Sequence, residues 1–139
     1  LSAQFETTYT DYTKFTDLEQ TDRSKETTWK LFDQSIQASK KLQKIAEAKG
    51  GLKLTFTDVD MAGQILPSMK TGRELRVIRS SFPPKLSFDY VLSDASGSVI
   101  KTGSERLVGI DFEFDIGRNT SSDTFYSEIS LIEDWAKKL

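Results

Sequence analysis

The chain contains no cysteine and no histidine among its 139 residues. Without cysteine it can form no disulfide framework, thiolate metal site or thiol nucleophile. Without histidine it lacks the commonest general base, the commonest zinc ligand and the usual titratable switch near neutral pH. Any enzyme built on this sequence would therefore have to use carboxylates, lysine, tyrosine or a hydroxyl group.

Strong net charge and long apolar runs are missing as well. The formal net charge is −2 and the sequence pI is near 5.2, whereas a nucleic-acid-binding protein normally shows a basic footprint. We therefore expect no nucleic-acid partner. No apolar run reaches the roughly 18 residues that a spanning helix needs, so we expect no membrane span. The lysines at positions 40, 41, 44 and 49 are interpreted as the solvated face of a helix.

The length predicts a single domain, residues 1–139, with enough buried surface for one hydrophobic core. The chain starts at Leu1 and shows no charged-then-apolar pattern of a signal peptide. Such a start is typical of a mature exported protein, and equally of a chain that has been shortened at its beginning.

Hydrophobic periodicity predicts six strands and two helices. Apolar and polar residues alternate at about residues 4–10, 52–57, 74–79, 85–93, 98–107 and 110–116. Helical spacing predicts one long helix over about 24–49, ended by two glycines, and a last helix over about 124–139. Residues 64–73 are predicted to form a loop. The order β-α-β-β-β-β-β-α indicates an α+β fold, a two-layer sandwich with a largely antiparallel sheet and both helices on one face.

Two stripes are predicted to form the core. The alternation over residues 85–93 should point four side chains towards the helices, namely Leu86, Phe88, Tyr90 and Leu92. The last helix should dock through Phe125, Ile129, Ile132, Ala136 and Leu139, with Trp135 at the edge of that stripe.

Several fragments along the chain form an ordered set: Thr16-Asp17, Asp58 to Gly63, Arg76 to Arg79, Phe82-Pro83, Leu86 to Leu92, Gly103 to Leu107, Phe125 to Glu128 and Leu131 to Trp135. In this order they resemble the bacterial family known as domain of unknown function 3016. The sequence departs from the family at Phe15, where a tyrosine is more typical, and around Phe112.

The resemblance implies an exported protein of Gram-negative bacteria whose signal peptide has been removed, and hence a mature chain in the periplasm. It implies no activity, cofactor or catalytic residue for this sequence.

Asp58 and Asp60 are the first candidate site. Carboxylates two residues apart on a strand point the same way, so this pair could hold a divalent cation or face a ligand. Strand-end aspartates that bond turn amides are the structural alternative. A second acidic row, Asp111, Glu113 and Asp115, lacks the glycine and glutamate of a calcium loop and is interpreted as a solvated strand face. We predict no metal site and no cofactor.

Arginines form the second candidate. Arg76, Arg79 and Arg106, with Arg73 beside them, could converge on one sheet face and bind a carboxylate or phosphate ligand through their planar forks. They could equally pair with acidic side chains of the protein itself.

The leading functional hypothesis is a non-catalytic periplasmic binding or interaction module. Its ligand is expected to be an unknown protein or another component of the cell envelope, bound by the outer sheet face or by the loop after Gly63. One alternative is a carboxylate- or metal-assisted hydrolase centred on Asp58 and Asp60. Another is a self-associating envelope component, so a monomer and a weak homo-oligomer both stay open.

Overall fold

The architecture is taken from a computed structural model, which describes residues 4–21, 23–67, 72, 74–77, 82–109 and 125–139. A short 3-10 turn, Tyr12–Lys14, follows the first strand. The three helices are α1 (Lys25–Gln37), α2 (Lys40–Lys49) and α3 (Tyr126–Ala136). The strands are β1 (Phe5–Tyr9), β2 (Gly51–Asp60), β3 (Gln64–Pro67), β4 (Glu74–Val77), β5 (Lys85–Ser93) and β6 (Val99–Val108).

Four of these strands form the main sheet, in the order β1-β2-β5-β6. β1 runs parallel to β2, as expected for strands joined through helices. β2, β5 and β6 are antiparallel to their neighbours. The predicted α+β class with a mostly antiparallel sheet is confirmed. The strand predicted at 110–116 lies outside the described residues.

The helices cover one face of this sheet. Inward side chains of β2 and β5 join buried residues of all three helices in a single cluster that includes Phe32, Phe56 and Phe88. The predicted inward set of β5 is confirmed, since all four side chains are buried. Large apolar side chains buried in this way contribute about 1.5–3 kcal/mol each before entropy is subtracted. Among the described helices, none is long and apolar enough to cross a bilayer.

The last helix docks as predicted, although it is shorter than expected. Four residues of its stripe are buried, and Leu139 packs against them from the end of the chain. Trp135 contacts the rings of Phe88 and Tyr90, with centroids 4.7 and 5.1 Å away. Across from Tyr90 on β6 stands Gly103, where an added Cβ would lie 2.8 Å from the Tyr90 ring. The missing side chain therefore makes room for the tyrosine.

The single long helix predicted over 24–49 is wrong, because α1 ends at Gln37 and α2 begins at Lys40. Ser39 is extended, at φ −67° and ψ 108°, and its side chain accepts a hydrogen bond from the Leu42 N–H. The apolar stripe shows the break in retrospect. Ile36 and Leu42 are six residues apart, and a continuous helix would need an apolar residue at 39 or 40.

The loop predicted over 64–73 is wrong at its start. Gln64–Pro67 is a strand that pairs with Glu74–Val77 as a separate two-stranded sheet. The strand is too short for its alternation to be read from the sequence. Of the described hairpin residues, 64–67 and 74–77, none is fully buried, so contacts to the rest of the protein must help to hold them in place.

Candidate functional site

The segment after β1 runs alongside the end of β2. The Asp17 N–H donates to the Val59 carbonyl oxygen at 3.0 Å, and the Met61 N–H donates to the Asp17 carbonyl oxygen at 2.8 Å. These bonds form a parallel bridge between Asp17 and Asp60. The bridge brings residues more than forty positions apart to one end of the sheet, and so adds a third carboxylate to the predicted pair.

Asp58 is engaged in fixing this segment. Its two carboxylate oxygens accept hydrogen bonds from the Thr16 N–H at 2.6 Å and from the Thr16 hydroxyl at 2.7 Å. A register shift between Phe56 and Asp58 precedes it on β2. The Asp58 carboxylate therefore links the segment to the sheet by hydrogen bonds. This is the structural role that was the alternative to a ligand site for this residue.

Arg76 ties the β3–β4 hairpin to the same place. Its two terminal nitrogens donate to the two carboxylate oxygens of Asp17, at 3.0 and 2.7 Å. They also donate to the carbonyl oxygens of Ala62 and Glu19, at 3.1 and 2.9 Å. The Arg76 and Asp17 side chains are only 17% and 21% exposed. This bidentate contact requires the planar guanidinium, and a lysine could not form it.

Two further contacts close the arrangement. The Ala62 N–H donates to the buried Glu128 carboxylate of α3 at 3.0 Å. The Gly63 N–H donates to the Phe82 carbonyl oxygen at 2.8 Å, with Gly63 at a φ of 78° that favours glycine. The chain between β2 and β3 is thereby held from both sides.

A cleft opens between the hairpin and the end of the sheet. Its volume of about 340 Å³ lies within the range of small-ligand sites. One wall is acidic and the other is mainly apolar, formed by Ile65 and by Phe82, which is 42% exposed. The lining residues are Thr16, Asp17, Glu19, Asp60, Gly63, Gln64, Ile65 and Phe82.

Asp60 is the carboxylate of the cleft that the protein leaves available. Asp17 is bound by Arg76, and Glu19 forms an ion pair with Lys25 at 3.4 Å. Within the described ranges, no hydrogen-bond donor contacts the Asp60 carboxylate. Burial and then the charge of Asp17 raise the pKa of Asp60 above its ordinary value of 3.8, while Lys85 partly offsets this effect. The fold therefore holds Asp60 in a position that disfavours its charge.

The other predicted site residues do not line this cleft. Arg106 is exposed on β6, opposite Ser87, which in turn faces Asp58. It shares a sheet face with Asp58 but lies two strands away, roughly 10 Å. Arg79 lies outside the described residues, as do Arg73 and the acidic row at positions 111, 113 and 115. Groups of acidic residues able to hold a metal ion are not found in the described part of the chain.

Sequence reasoning did not nominate Asp17, Glu128 or Phe82 as site residues. Each stands far along the chain from Asp60, so no local spacing connects them. Each does lie in a fragment that carried the family resemblance. Those fragments meet here, since Thr16-Asp17, Asp58 to Gly63, Arg76, Phe82 and Glu128 contact one another around the cleft.

Comparison with known proteins identifies the family of the chain. A family model described as "Protein of unknown function (DUF3016)" matches residues 3–138, nearly the whole chain. Neither the curated proteins nor the solved structures contain a match to this chain. The chain therefore belongs to the DUF3016 family, whose description gives no function.

Proposed function

We propose that this protein is a non-catalytic binding module of the bacterial periplasm, and that its ligand enters the cleft beside Asp60. The periplasmic location is supported by the family resemblance alone. The binding role is supported by the cleft, which combines a concave shape, an apolar wall and one available carboxylate. Such a combination is the usual mark of a ligand site.

The observation that carries the proposal is the state of Asp60. Its neighbours Asp58 and Asp17 are each satisfied by a partner from the protein, Thr16 and Arg76. Asp60 is instead left in a partly buried position with a raised pKa. A ligand cation placed in the cleft would neutralise this charge, and so would gain more than it would from a fully solvated carboxylate.

The walls define the chemistry of the ligand. An amine or guanidinium group would lie against Asp60, and an attached apolar group would contact Ile65 and Phe82. The exposed Phe82 ring also offers its face to a cation. A lysine or arginine side chain flanked by an apolar residue, presented by a partner protein, has these features.

Capped tripeptides test this chemistry directly. We expect Leu-Lys-Leu and Leu-Arg-Leu to shift the amide resonances of Gly63, Ile65 and Phe82 in two-dimensional spectra of the protein, and Leu-Glu-Leu to leave them unchanged. Asp60→Asn should weaken the response to the basic peptides. Asp89→Asn is the matched control, because Asp89 is exposed on β5, away from the cleft.

The binding proposal fails if basic and acidic peptides shift the same resonances equally, or if neither shifts them at millimolar concentration. Location is tested separately. The full-length precursor, expressed in a Gram-negative host, should be recovered in the fraction released by osmotic shock. Retention in the cytoplasm would remove the periplasmic part of the proposal and leave the cleft unaffected.

The second candidate function is a hydrolase, because a carboxyl group with a raised pKa, such as that of Asp60, can act as a general acid. Engagement of both Asp58 oxygens by Thr16 counts against a metal-binding pair. Titration with calcium, magnesium, manganese and zinc decides the metal part. A cation bound to the native state must raise the melting temperature, and an unchanged value at millimolar metal would eliminate this version.

A further inference from the structure

The outward face of α2 carries three lysines and one glutamate, Glu47. At 100° per residue, Lys40, Lys41 and Lys44 fall within an arc of about 100°, nearly opposite the buried Leu42 and Ala46. All three lysines are exposed. We refer to Lys40, Lys41 and Lys44 together as the basic face.

In the described portion of the structure, ion pairs involve Lys25, Lys30, Arg76 and Lys137, and none involves the basic face. The nearby acid on α3, Glu133, accepts a hydrogen bond from the Ser39 hydroxyl at 2.6 Å instead.

Two of the lysines are also placed against the electrostatics of their own helix. Lys40 and Lys41 occupy the first turn of α2, which contains no acidic residue. The amino end of a helix carries partial positive charge, so lysines there are unfavourable and carboxylates are preferred. Residues that lower stability, and that no contact within the fold accounts for, are a pattern found at functional surfaces.

The positive charge extends onto the neighbouring helix. α3 lies beside the start of α2 through the Ser39–Glu133 hydrogen bond, and α3 is followed by the exposed Lys137 and Lys138. Five lysines therefore stand near the junction of these helices, together with three carboxylates, Glu47, Glu133 and Asp134, of which Asp134 is paired with Lys137.

We propose that the basic face docks onto the surface of an anionic lipid bilayer. α2 contains lysines but no arginine, and lysine acts as a mobile point charge, whereas arginine provides the rigid fork suited to a single phosphate or carboxylate. A row of lysines on a convex surface suits the dense, diffuse negative charge of an anionic bilayer. Each lysine adds a similar increment to the binding free energy. This inference is independent of the ligand proposed for the cleft.

Vesicle sedimentation with the whole protein tests the proposal. We expect partition onto vesicles of phosphatidylcholine containing roughly one third phosphatidylglycerol, little onto pure phosphatidylcholine, and loss of partition at high salt. The triple variant Lys40→Gln, Lys41→Gln, Lys44→Gln should lower the partition coefficient about a hundredfold, at about fivefold per lysine.

The matched control removes three exposed lysines elsewhere, through Lys14→Gln, Lys53→Gln and Lys101→Gln. Its net charge equals that of the test variant, so an equal loss of partition would show a net-charge effect and overturn the proposal. Absence of partition at low salt would also overturn it. So would displacement by inorganic phosphate beyond that caused by chloride at the same ionic strength, since this would show a small-anion site instead.

Discussion

Replacing Arg76 with methionine should release the β3–β4 hairpin and weaken the whole fold. Methionine keeps most of the volume of the arginine stem but removes the guanidinium, and with it four hydrogen bonds to Asp17, Ala62 and Glu19. The described hairpin residues, 64–67 and 74–77, are at most half-buried, so their hydrophobic contacts can replace the lost anchor only in part.

The magnitude follows from the burial of the pair. Removing one member of a fully buried, hydrogen-bonded ion pair costs about 3–5 kcal/mol, because the remaining charge is left without a partner. Arg76 and Asp17 retain 17% and 21% of their exposure, so water can reach Asp17 in the variant. We therefore expect a smaller loss, about 2–3 kcal/mol in the free energy of unfolding.

Urea denaturation measures the global loss, and hydrogen exchange separates it from a local one. Amides in the β3–β4 ladder should exchange faster in Arg76→Met, while those of β2 and β5 should change only as far as global stability does. The double variant with Asp17→Asn should be less destabilised than the sum of the two single changes, because both remove the same contact.

A loss below about 0.5 kcal/mol in Arg76→Met, the size of an ordinary surface substitution, together with unchanged exchange of the hairpin amides, would refute this reasoning. It would mean that contacts other than the guanidinium hold the hairpin in place.

The remaining predictions concern the core and the two charged surfaces. Phe88→Ala should lower the free energy of unfolding in urea by about 3–5 kcal/mol, because its side chain is buried at the centre of the core. Gly103→Ala should cost about 1–3 kcal/mol in the same assay, since the new methyl group would press on the neighbouring tyrosine ring. Asp60→Asn should raise the melting temperature at neutral pH, and the gain should fade on acidification. Lys40→Glu and Lys41→Glu should each stabilise α2 by about 0.3–1 kcal/mol at low salt, measured by thermal melting.

The sign of the Asp60 effect follows from linkage. Because its pKa is raised in the folded state, the contribution of Asp60 to stability is fully present below the unfolded value of 3.8 and is lost as the pH rises through the folded value. Asparagine mimics the protonated form at every pH. A melting temperature lower than wild type at pH 7 would contradict this direction, as would a gain that grew on acidification.

The predictions for the other substitutions would each be contradicted by a specific result. A loss below about 1 kcal/mol in Phe88→Ala would place this side chain on the wrong sheet face. An unaltered Gly103→Ala variant would show that the tyrosine ring can move away freely. Destabilisation of α2 by glutamate at position 40 or 41 would show that the lysines form contacts that offset the helix dipole.

The sequence was a sound guide to β5, where the pattern is long and unbroken. β5 alternates over nine residues, and its inward and outward side chains could be assigned correctly from the two-residue periodicity alone. The break between α1 and α2 is hard to see because both halves are amphipathic, and Ser39-Lys40 interrupts the apolar stripe only once. The strand β3, at four residues, exists because β4 pairs with it, and such pairing cannot be read from so short a segment.

The candidate site was predictable only in part. Asp58, Asp60 and Arg76 were singled out by residue type and position, and all three lie at one end of the sheet. Asp17 could not be identified as the partner of Arg76, because the two are 59 residues apart and their contact depends on a single parallel bridge. Equally, the sequence could not show that Thr16 occupies Asp58 and leaves Asp60 available.

Charged side chains at two places in the protein lower its stability, and both places are proposed binding surfaces. Asp60 is charged where burial and Asp17 oppose its charge, and Lys40 and Lys41 stand at the helix end that repels them. Simple substitutions should relieve each of these costs without disturbing the core. If Asp60→Asn and Lys40→Glu yield more stable proteins that bind basic peptides and anionic vesicles, respectively, more weakly than wild type, then the costs are explained by binding, because natural sequences depart from local stability mainly where function requires it. If the stabilised variants bind as well as wild type, the unfavourable charges are incidental, and neither surface can be the one that partners recognise.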